Sequence, residues 1–202
     1  MDRRLFLATA LLVGASAVTA IAQTAPPTRV RGTIASVAGN TMTVNSRDGQ
    51  KLEVTLADPL SVLTVKKVEL SSIAPNAYVG IATRTDADGK LTALEVLVFP
   101  ESGRGSGEGH YAWDLEPGST MTNGTVKGAV TASSGRELTL TYKDGSNTIF
   151  VPPTAPVVTF APAERADVKA GAPVFFGATK SADGKLSAAR VIVGKDGVAP
   201  PM

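Results

Sequence analysis

The chain contains the same β-rich unit twice. Residues 30–49 match residues 126–145 at a constant offset of 96 without a gap, and six of the twenty aligned pairs are identical. After a one-residue shift, residues 79–98 match residues 174–193 at an offset of 95. Two ungapped blocks in the same order indicate an internal duplication, so the fold must be built from two similar halves.

Each unit carries short strand patterns separated by turn residues. Residues 52–56 alternate as Leu-x-Val-x-Leu, which predicts a strand with one buried face. Asp48-Gly49 and the Asp-Gly-Lys-Leu motifs at 88–91 and 183–186 favour hairpins, because Asp-Gly tolerates the positive φ angles of tight turns. Residues 70–76 predict a short helical turn or loop. Each unit therefore predicts five or six strands, with a short helical segment before the last hairpin.

The motifs G-x-[IV], G-x-x-[ML]-T-[VL] and D-G, together with the later D-G-K-L hairpin, occur in both units. They resemble exported bacterial proteins built from small OB-like repeat domains of unknown function. The resemblance implies five-stranded, partly open barrels; an SH3-like barrel or a small sandwich has nearly the same pattern. The Gly-His-Tyr-Ala-Trp-Asp-Leu stretch at 109–115 also looks like a motif of some duplicated members of this group. The group has no established activity, so the resemblance assigns no role to any residue.

We therefore predict an all-β protein of two tandem small OB-like β-barrel repeats joined by a Gly-rich linker, after a signal peptide. The predicted segments are a signal peptide at 1–22, an extended tether at 23–28, barrel repeat 1 at 29–100, a Gly-rich linker with the His/Trp segment at 101–124, barrel repeat 2 at 125–195 and a C-terminal tail at 196–202.

The first 22 residues predict export. Arg3-Arg4 precedes an apolar run that ends in the A-x-A pattern of residues 20–22, so the mature chain is expected to begin at Gln23. Residues 3–7 also resemble the twin-arginine motif, which leaves both the twin-arginine and the general secretory routes open. A membrane anchor is disfavoured because the run is short and contains small polar residues. We predict a periplasmic or secreted protein without an integral membrane segment in the mature chain.

The composition excludes several classes of function. The chain has no cysteine, which excludes disulfides, thiolate metal sites and a cysteine nucleophile. Its net charge is +2, and charged residues of both signs are scattered along the chain. Because no basic stripe follows from this distribution, nucleic acid is not expected as a partner.

Residues 100–124 are the longest part of the chain that occurs only once, and they hold the only histidine and the only tryptophan. We single out His110, Tyr111, Trp113 and Asp114 as candidate ligand-binding residues. Leaving Tyr, Trp and Leu in water within six residues is unfavourable. We therefore expect this segment to dock in the groove between the two barrels, while Glu101 to Gly109 stays mobile.

Metal and catalytic motifs are weak. Residues 86–95 resemble part of an EF-hand loop, but Arg84 stands at its first ligand position, so a plain hairpin turn is preferred. His110 with Glu108 and Asp114, or with the sulfur of Met42 or Met121, is the only conceivable transition-metal group. The chain has no G-x-S-x-G elbow and no P-loop. We predict no catalytic residue, no metal and no cofactor.

The predicted function is that of an exported, non-enzymatic binding or scaffolding protein, whose partner is an unknown protein or small molecule. Two alternatives use His110. One is a periplasmic metal-handling accessory protein, with nearby carboxylates or methionine as further ligands. The other is a hydrolase or other enzyme that uses His110 with Glu108, Asp114 or Glu116.

Overall fold

A computed structural model describes residues 27–127 and 136–200 of the chain. The predicted signal peptide, most of the predicted tether and the last two residues of the predicted tail lie outside these ranges. Gly128 and Gly135 of the internal repeat lie outside them as well. The described residues are almost entirely strands and turns, which confirms the predicted all-β class.

Twelve strands are present in the described ranges, with three short 3-10 helices between them. The strands are β1 (Thr28–Ala38), β2 (Thr41–Ser46), β3 (Lys51–Lys67), β4 (Tyr78–Thr85), β5 (Leu91–Val98), β6 (Gly109–Ala112), β7 (Thr120–Val126), β8 (Glu137–Tyr142), β9 (Gly145–Phe150), β10 (Val157–Pro162), β11 (Pro173–Lys180) and β12 (Leu186–Val193). The 3-10 helices span Leu70–Ser72, Glu101–Gly103 and Arg165–Asp167. The first and last of these precede the final hairpin of each unit, as the sequence predicts.

The tight hairpins follow from their Asp-Gly turns. Gly89 has a φ of 78°, which a residue with a Cβ rarely adopts. The side chain of Asp86 accepts hydrogen bonds from the backbone N–H groups of Asp88, at 3.1 Å, and Lys90, at 2.8 Å. Residues 86–95 therefore form the turn and second strand of an antiparallel hairpin, as predicted, and the Asp86 carboxylate is engaged by the turn itself.

Five strands close a barrel, here called the first ring. Its neighbours run in the order β1-β2-β3-β12-β11, and β11 pairs back onto β1. All these pairs are antiparallel except β3–β12. Of the alternating side chains at 52–56, Val54 and Leu56 are buried in the core of this ring, and Leu52 packs against it partly buried. The buried core contains Val30, Ile34, Met42, Val44, Val54, Leu56, Val168, Ala172, Val174, Phe176, Ala178, Ala188, Val191 and Val193.

A second circuit of strand pairings, the second ring, has the same order and the same parallel position. It runs β7-β8-β9-β5-β4 and closes from β4 onto β7. Its core contains Leu70, Ile73, Val79, Ile81, Ala93, Val96, Val126, Leu138, Leu140, Ile149, Val151, Ala155 and Val157. The repeat pairs Met42/Leu138 and Val44/Leu140 therefore occupy matching interior positions in the two rings.

The final hairpin of each unit lies in the ring of the other unit. The β4–β5 hairpin completes the second ring, and the β11–β12 hairpin completes the first. This corrects the expectation of two self-contained tandem barrels. The physical reason lies in β3, which continues over 17 residues, well beyond the strand predicted at 52–56. Residues 54–64 of β3 pair with β12 of the first ring, and residues 63–67 pair with β10, so β3 carries the chain out of the first ring instead of turning back into it.

β10 joins the two rings, because it pairs with β3 on one side and β5 on the other. Its register with β3 is centred on the pair Val65–Phe160, whose members are equivalent at the repeat offset of 95. The parallel β5–β10 pair likewise matches the parallel β12–β3 pair at that offset. The two halves of the chain are thus related by an approximate two-fold axis through this junction.

A third apolar cluster lies at the junction of the rings. Its buried members are Val65, Leu97, Val158 and Ile192, with Phe99, Phe160 and Phe175 packed against them. Phe99 contacts both Tyr78 and Phe160 in tilted or edge-on geometry, with centroid distances of 5.4 and 5.9 Å. Three aromatic side chains in contact at one junction bury a large apolar area. The first ring and the second ring of strands therefore pack against each other here.

Candidate functional site

The central segment forms two strands where the sequence predicts a linker. β6 pairs with β7, and β7 pairs on its other edge with β4, so this hairpin extends the wall of the second ring. Asn123 of β7 is buried, and its side-chain amide donates to the backbone oxygens of Ser106 and Gly107 and to the hydroxyl of Tyr111. The glycine-rich stretch before β6 is therefore attached to the ring by hydrogen bonds.

Two further side chains hold the same stretch. Tyr78 donates its hydroxyl proton to the backbone oxygen of Ser106 at 3.1 Å. Burial, together with the negative charge of Glu108, raises the pKa of Tyr78 to about 12, so it remains a hydrogen-bond donor at neutral pH. Arg104 donates to the backbone oxygen of Asn76 at 2.9 Å and forms an ion pair with Glu101. These contacts fix the start of the segment against the second ring.

His110 faces neutral partners. Its Nδ1 lies 2.8 Å from the hydroxyl of Thr122 and 3.0 Å from the side-chain nitrogen of Asn147. The carboxylate of Glu108 accepts a hydrogen bond from the backbone N–H of Lys143 instead. Within residues 27–127 and 136–200, no three His, Asp or Glu side chains are grouped so that they could hold a metal ion. Met42 lies in the core of the first ring, whereas His110 lies outside the second ring.

Trp113 packs against two arginines of β1 in the first ring. Its ring contacts Tyr111 edge-on at a centroid distance of 6.1 Å. The guanidinium of Arg29, on β1, lies 3.9 Å from the ring centroid, and that of Arg31 lies 5.6 Å from it. Cations at these distances over an indole are attracted by its π electrons. The ring is partly rather than fully buried.

Asp114 continues this contact with β1. Its carboxylate accepts a hydrogen bond from Arg31 at 2.8 Å and lies 3.7 Å from Arg29. Partial burial alone raises the pKa of Asp114, but the hydrogen bond from Arg31 and the charges of both arginines outweigh it, so the pKa is lowered. Arg47, on the β2–β3 turn, donates to the backbone oxygen of Leu115 at 2.8 Å. Three arginines of the first ring thus hold residues 113–118, here called the Trp113 loop.

A cleft of about 890 Å³ lies between the Trp113 loop and one end of the first ring. The start of β1, the β2–β3 turn and the β11–β12 hairpin form one wall, and the Trp113 loop forms the other. Lys180 and Leu186 come from the exchanged hairpin. The lining combines apolar surface with both signs of charge, and its volume is in the range of small-molecule sites. Both units of the repeat contribute to it.

The four candidate residues divide between two places. Trp113 and Asp114 line the cleft, whereas His110 and Tyr111 support the hairpin from which the loop emerges. The arginines at 29, 31 and 47 were not singled out from the sequence. A signal existed for two of them, because Arg29 and Arg31 alternate on β1 with the inward-facing Val30.

Glu95 is a further residue that the sequence analysis did not single out as a candidate ligand-binding residue. It lies on β5 and is only 1% exposed. Neither of its carboxylate oxygens has a hydrogen-bond partner among the described residues. Burial raises the pKa of Glu95 to about 8, against the opposing charges of Arg31 and Arg47. An acidic side chain so enclosed is unusual unless it is paired, and such groups concentrate at functional sites.

Replacing Trp113 with alanine is expected to lower the free energy of unfolding by about 1–2 kcal/mol. The loss combines a half-buried ring with cation–π contacts to Arg29 and Arg31. Urea unfolding followed by circular dichroism measures it, with Trp113→Phe as the matched control that retains a stacking ring. A loss above about 4 kcal/mol would mean that the Trp113 side chain is as buried as a core residue, contrary to its position at the cleft.

Comparison with family models, curated proteins and solved structures found no match. None of the helices within the described ranges is both long and apolar enough to cross a membrane.

Proposed function

We propose that this chain is an exported, non-enzymatic binding or scaffolding protein whose ligand occupies the cleft under the Trp113 loop. Export is inferred from the Arg3-Arg4 start, the apolar run and the A-x-A pattern, which favour a periplasmic or secreted location. The observation that carries the binding proposal is the joint construction of the cleft, because its two walls come from different rings and are held together by Trp113.

We further propose that both rings are OB-like barrels with exchanged hairpins. Numbered within one ring, the strand order is 1-2-3-5-4, with the fifth strand parallel to the third, and a 3-10 helix precedes the fourth. The order, the five strands and the position of the helical turn support an OB-like barrel over an SH3-like barrel or a sandwich. OB-like barrels bind ligands of many chemical kinds, so the fold is compatible with a binding role without naming the ligand.

The lining of the cleft indicates which residues would contact a ligand. Arg47 and Lys180 have no carboxylate ion-pair partner among the described residues, whereas Arg29 and Arg31 pair with Asp114. Leu52 and Leu186 supply apolar surface beside them. A ligand held here would meet apolar contacts flanked by cations at the rim, an arrangement in which rim charges orient the ligand and apolar contacts retain it.

Native mass spectrometry of the protein purified from its own compartment tests this proposal. We expect a bound species on the wild-type chain and its loss from an Arg47→Ala/Lys180→Ala variant. Lys127→Ala is the matched control, because Lys127 is exposed and does not line the cleft. A bound species that survives equally in the cleft variant would place the ligand elsewhere. A wild-type chain that never carries a bound species would contradict the binding proposal.

A further inference from the structure

Glu95 lies on the face of the second ring that is continuous with the base of the Trp113 loop. Across the sheet it pairs with Ala82 of β4, Ala82 pairs with Met121 of β7, and Met121 pairs with Tyr111 of β6. Directly opposed residues in antiparallel strands point to the same side of the sheet. Glu95 and Tyr111 therefore share one face, and Tyr111 contacts the ring of Trp113 on that side.

The charged groups that act on Glu95 come from the first ring. Arg31 of β1 and Arg47 of the β2–β3 turn both lower the pKa of Glu95, although burial has the larger, opposite effect. The neighbouring strand β4 places Ala82 and Thr83 beside it, and neither ionises. Arg31 also pairs with Asp114 at 2.8 Å, and Asp114 lies 3.7 Å from Arg29. The side chain of Arg31 is 10% exposed, so its guanidinium has little water to compensate for a change of partner.

The same two arginines hold the Trp113 loop. Arg31 donates to Asp114 and Arg47 donates to the backbone oxygen of Leu115. An ionised Glu95 and an ionised Asp114 would both attract the Arg31 guanidinium. We propose that Glu95 is a proton-controlled latch: when ionised, it competes with Asp114 for Arg31 and loosens the Trp113 loop at the cleft.

The direction of the effect follows from the burial of Glu95. With Glu95 neutral, Arg31 and Arg47 hold the loop and the cleft has its described shape. When Glu95 loses its proton, an unpaired charge in the interior is strongly unfavourable, so the nearest cations move towards it. The loop then loses its two attachments to β1 and the β2–β3 turn. The latch acts on the cleft of the proposed function. Its biological role rests on that proposal, whereas the pH response of the loop does not.

Trp113 reports the state of the loop directly, because it is the only tryptophan in the chain. Acrylamide quenching of its fluorescence, without any added ligand, is measured between about pH 7 and about pH 9, which spans the ionisation of Glu95. Burial raises the pKa of Tyr78 and of Tyr111, so neither tyrosine ionises in this range. Because a partly exposed ion pair changes an equilibrium by only a few-fold, we expect the quenching constant to rise about two- to threefold.

Two variants separate the latch from general loosening. Glu95→Gln keeps the shape of the side chain without its charge, so its quenching constant should stay low across the range. Asp114→Asn, which weakens the closing ion pair from the other side, should give high quenching at both ends of the range. Circular dichroism verifies that each variant is folded, and Asp114→Asn supplies the test if Glu95→Gln does not fold.

Quenching in the wild type that does not change with pH would overturn the latch, and so would an equal rise in folded Glu95→Gln. Because no ligand is added, either result leaves the proposed binding function standing. Conversely, absence of a bound species in native mass spectrometry would leave a pH-dependent Trp113 signal intact.

Discussion

In the wild type, we expect the free energy of unfolding to fall as the pH rises from about 4.5 to about 8. We expect the Glu95→Gln variant to lose this fall. The pKa of Glu95 is raised by burial from 4.5 to about 8 in the folded protein. Below the lower value the carboxyl is protonated in both states, and above the higher one it is ionised in both. Between them the unfolded chain binds fewer protons, so the free energy of unfolding falls by about 1.4 kcal/mol per pH unit.

The expected total difference is about 3–5 kcal/mol across this window, which is large beside the net stability of a domain. Urea unfolding at several pH values measures it, with the slope of the variant subtracted from that of the wild type. The subtraction removes the contributions of Asp114, Asp167 and Asp183, whose pKa values are lowered and whose effects have the opposite sign. Glu53→Gln, at an exposed position of β3, is the matched control. Equal slopes in wild type and Glu95→Gln would show that Glu95 is not an isolated buried acid.

When the two halves of the chain are made as separate polypeptides, we expect that neither folds as a monomer. Residues 27–105 supply β1–β3 of the first ring and β4–β5 of the second, and so complete neither. Residues 106–200 have the complementary deficit. Each half alone would expose unpaired strand edges and half of an apolar core, which drives association or aggregation. Mixed together, the halves should restore both rings.

Size-exclusion chromatography and circular dichroism of the two halves, alone and mixed, measure this result. We expect a one-to-one complex at or below about micromolar concentration, since an interface made of whole strands is of the obligate kind. The intact chain is the control for native circular dichroism. Two halves that each fold as a stable monomer would indicate that every unit closes on its own hairpin.

Much of the fold could be predicted because its local determinants repeat. The Asp-Gly turns, the alternation at 52–56 and the short helical turn before the last hairpin are each specified by a few neighbouring residues. The same local motifs occur in both halves of the sequence, so the same local structure is expected twice. Met42/Leu138 and Val44/Leu140 were aligned from sequence, and both pairs are buried at matching positions.

The exchange of hairpins could not be predicted, for a physical reason. β1 can satisfy its backbone and its apolar face against either β4 or β11, because the two strands are repeats of one another. Val79 and Val174, for instance, are equivalent residues in the two cores. The local sequence therefore does not distinguish pairing of β1 with β4 from pairing of β1 with β11. The choice depends on whether β3 continues beyond Pro59 to pair with β10, which a strand pattern interrupted by Pro59 did not reveal.

The site was predicted only in part. Trp113 and Asp114 were identified because they belong to the segment that occurs once, and both line the cleft. Their cationic partners, Arg29 and Arg31, lie 82 to 85 residues earlier on the first ring, so only the tertiary fold brings them together. Glu95 could have been noticed, since it is the one polar residue in the otherwise apolar run 93–99.

A cross-strand disulfide tests the exchanged arrangement most directly. Thr33 and Pro173 are paired, exposed residues on β1 and β11, and their chain has no native cysteine. Opposed residues in antiparallel strands lie about 4.5–5.5 Å apart at Cα, within the range that a disulfide spans. The measurement is made on a Thr33→Cys/Pro173→Cys chain, oxidised and then cut at a protease site inserted at Gly105. We predict that the two halves remain covalently joined under denaturing, non-reducing conditions and separate on reduction. Halves that separate without reduction would contradict the exchange of hairpins between the rings.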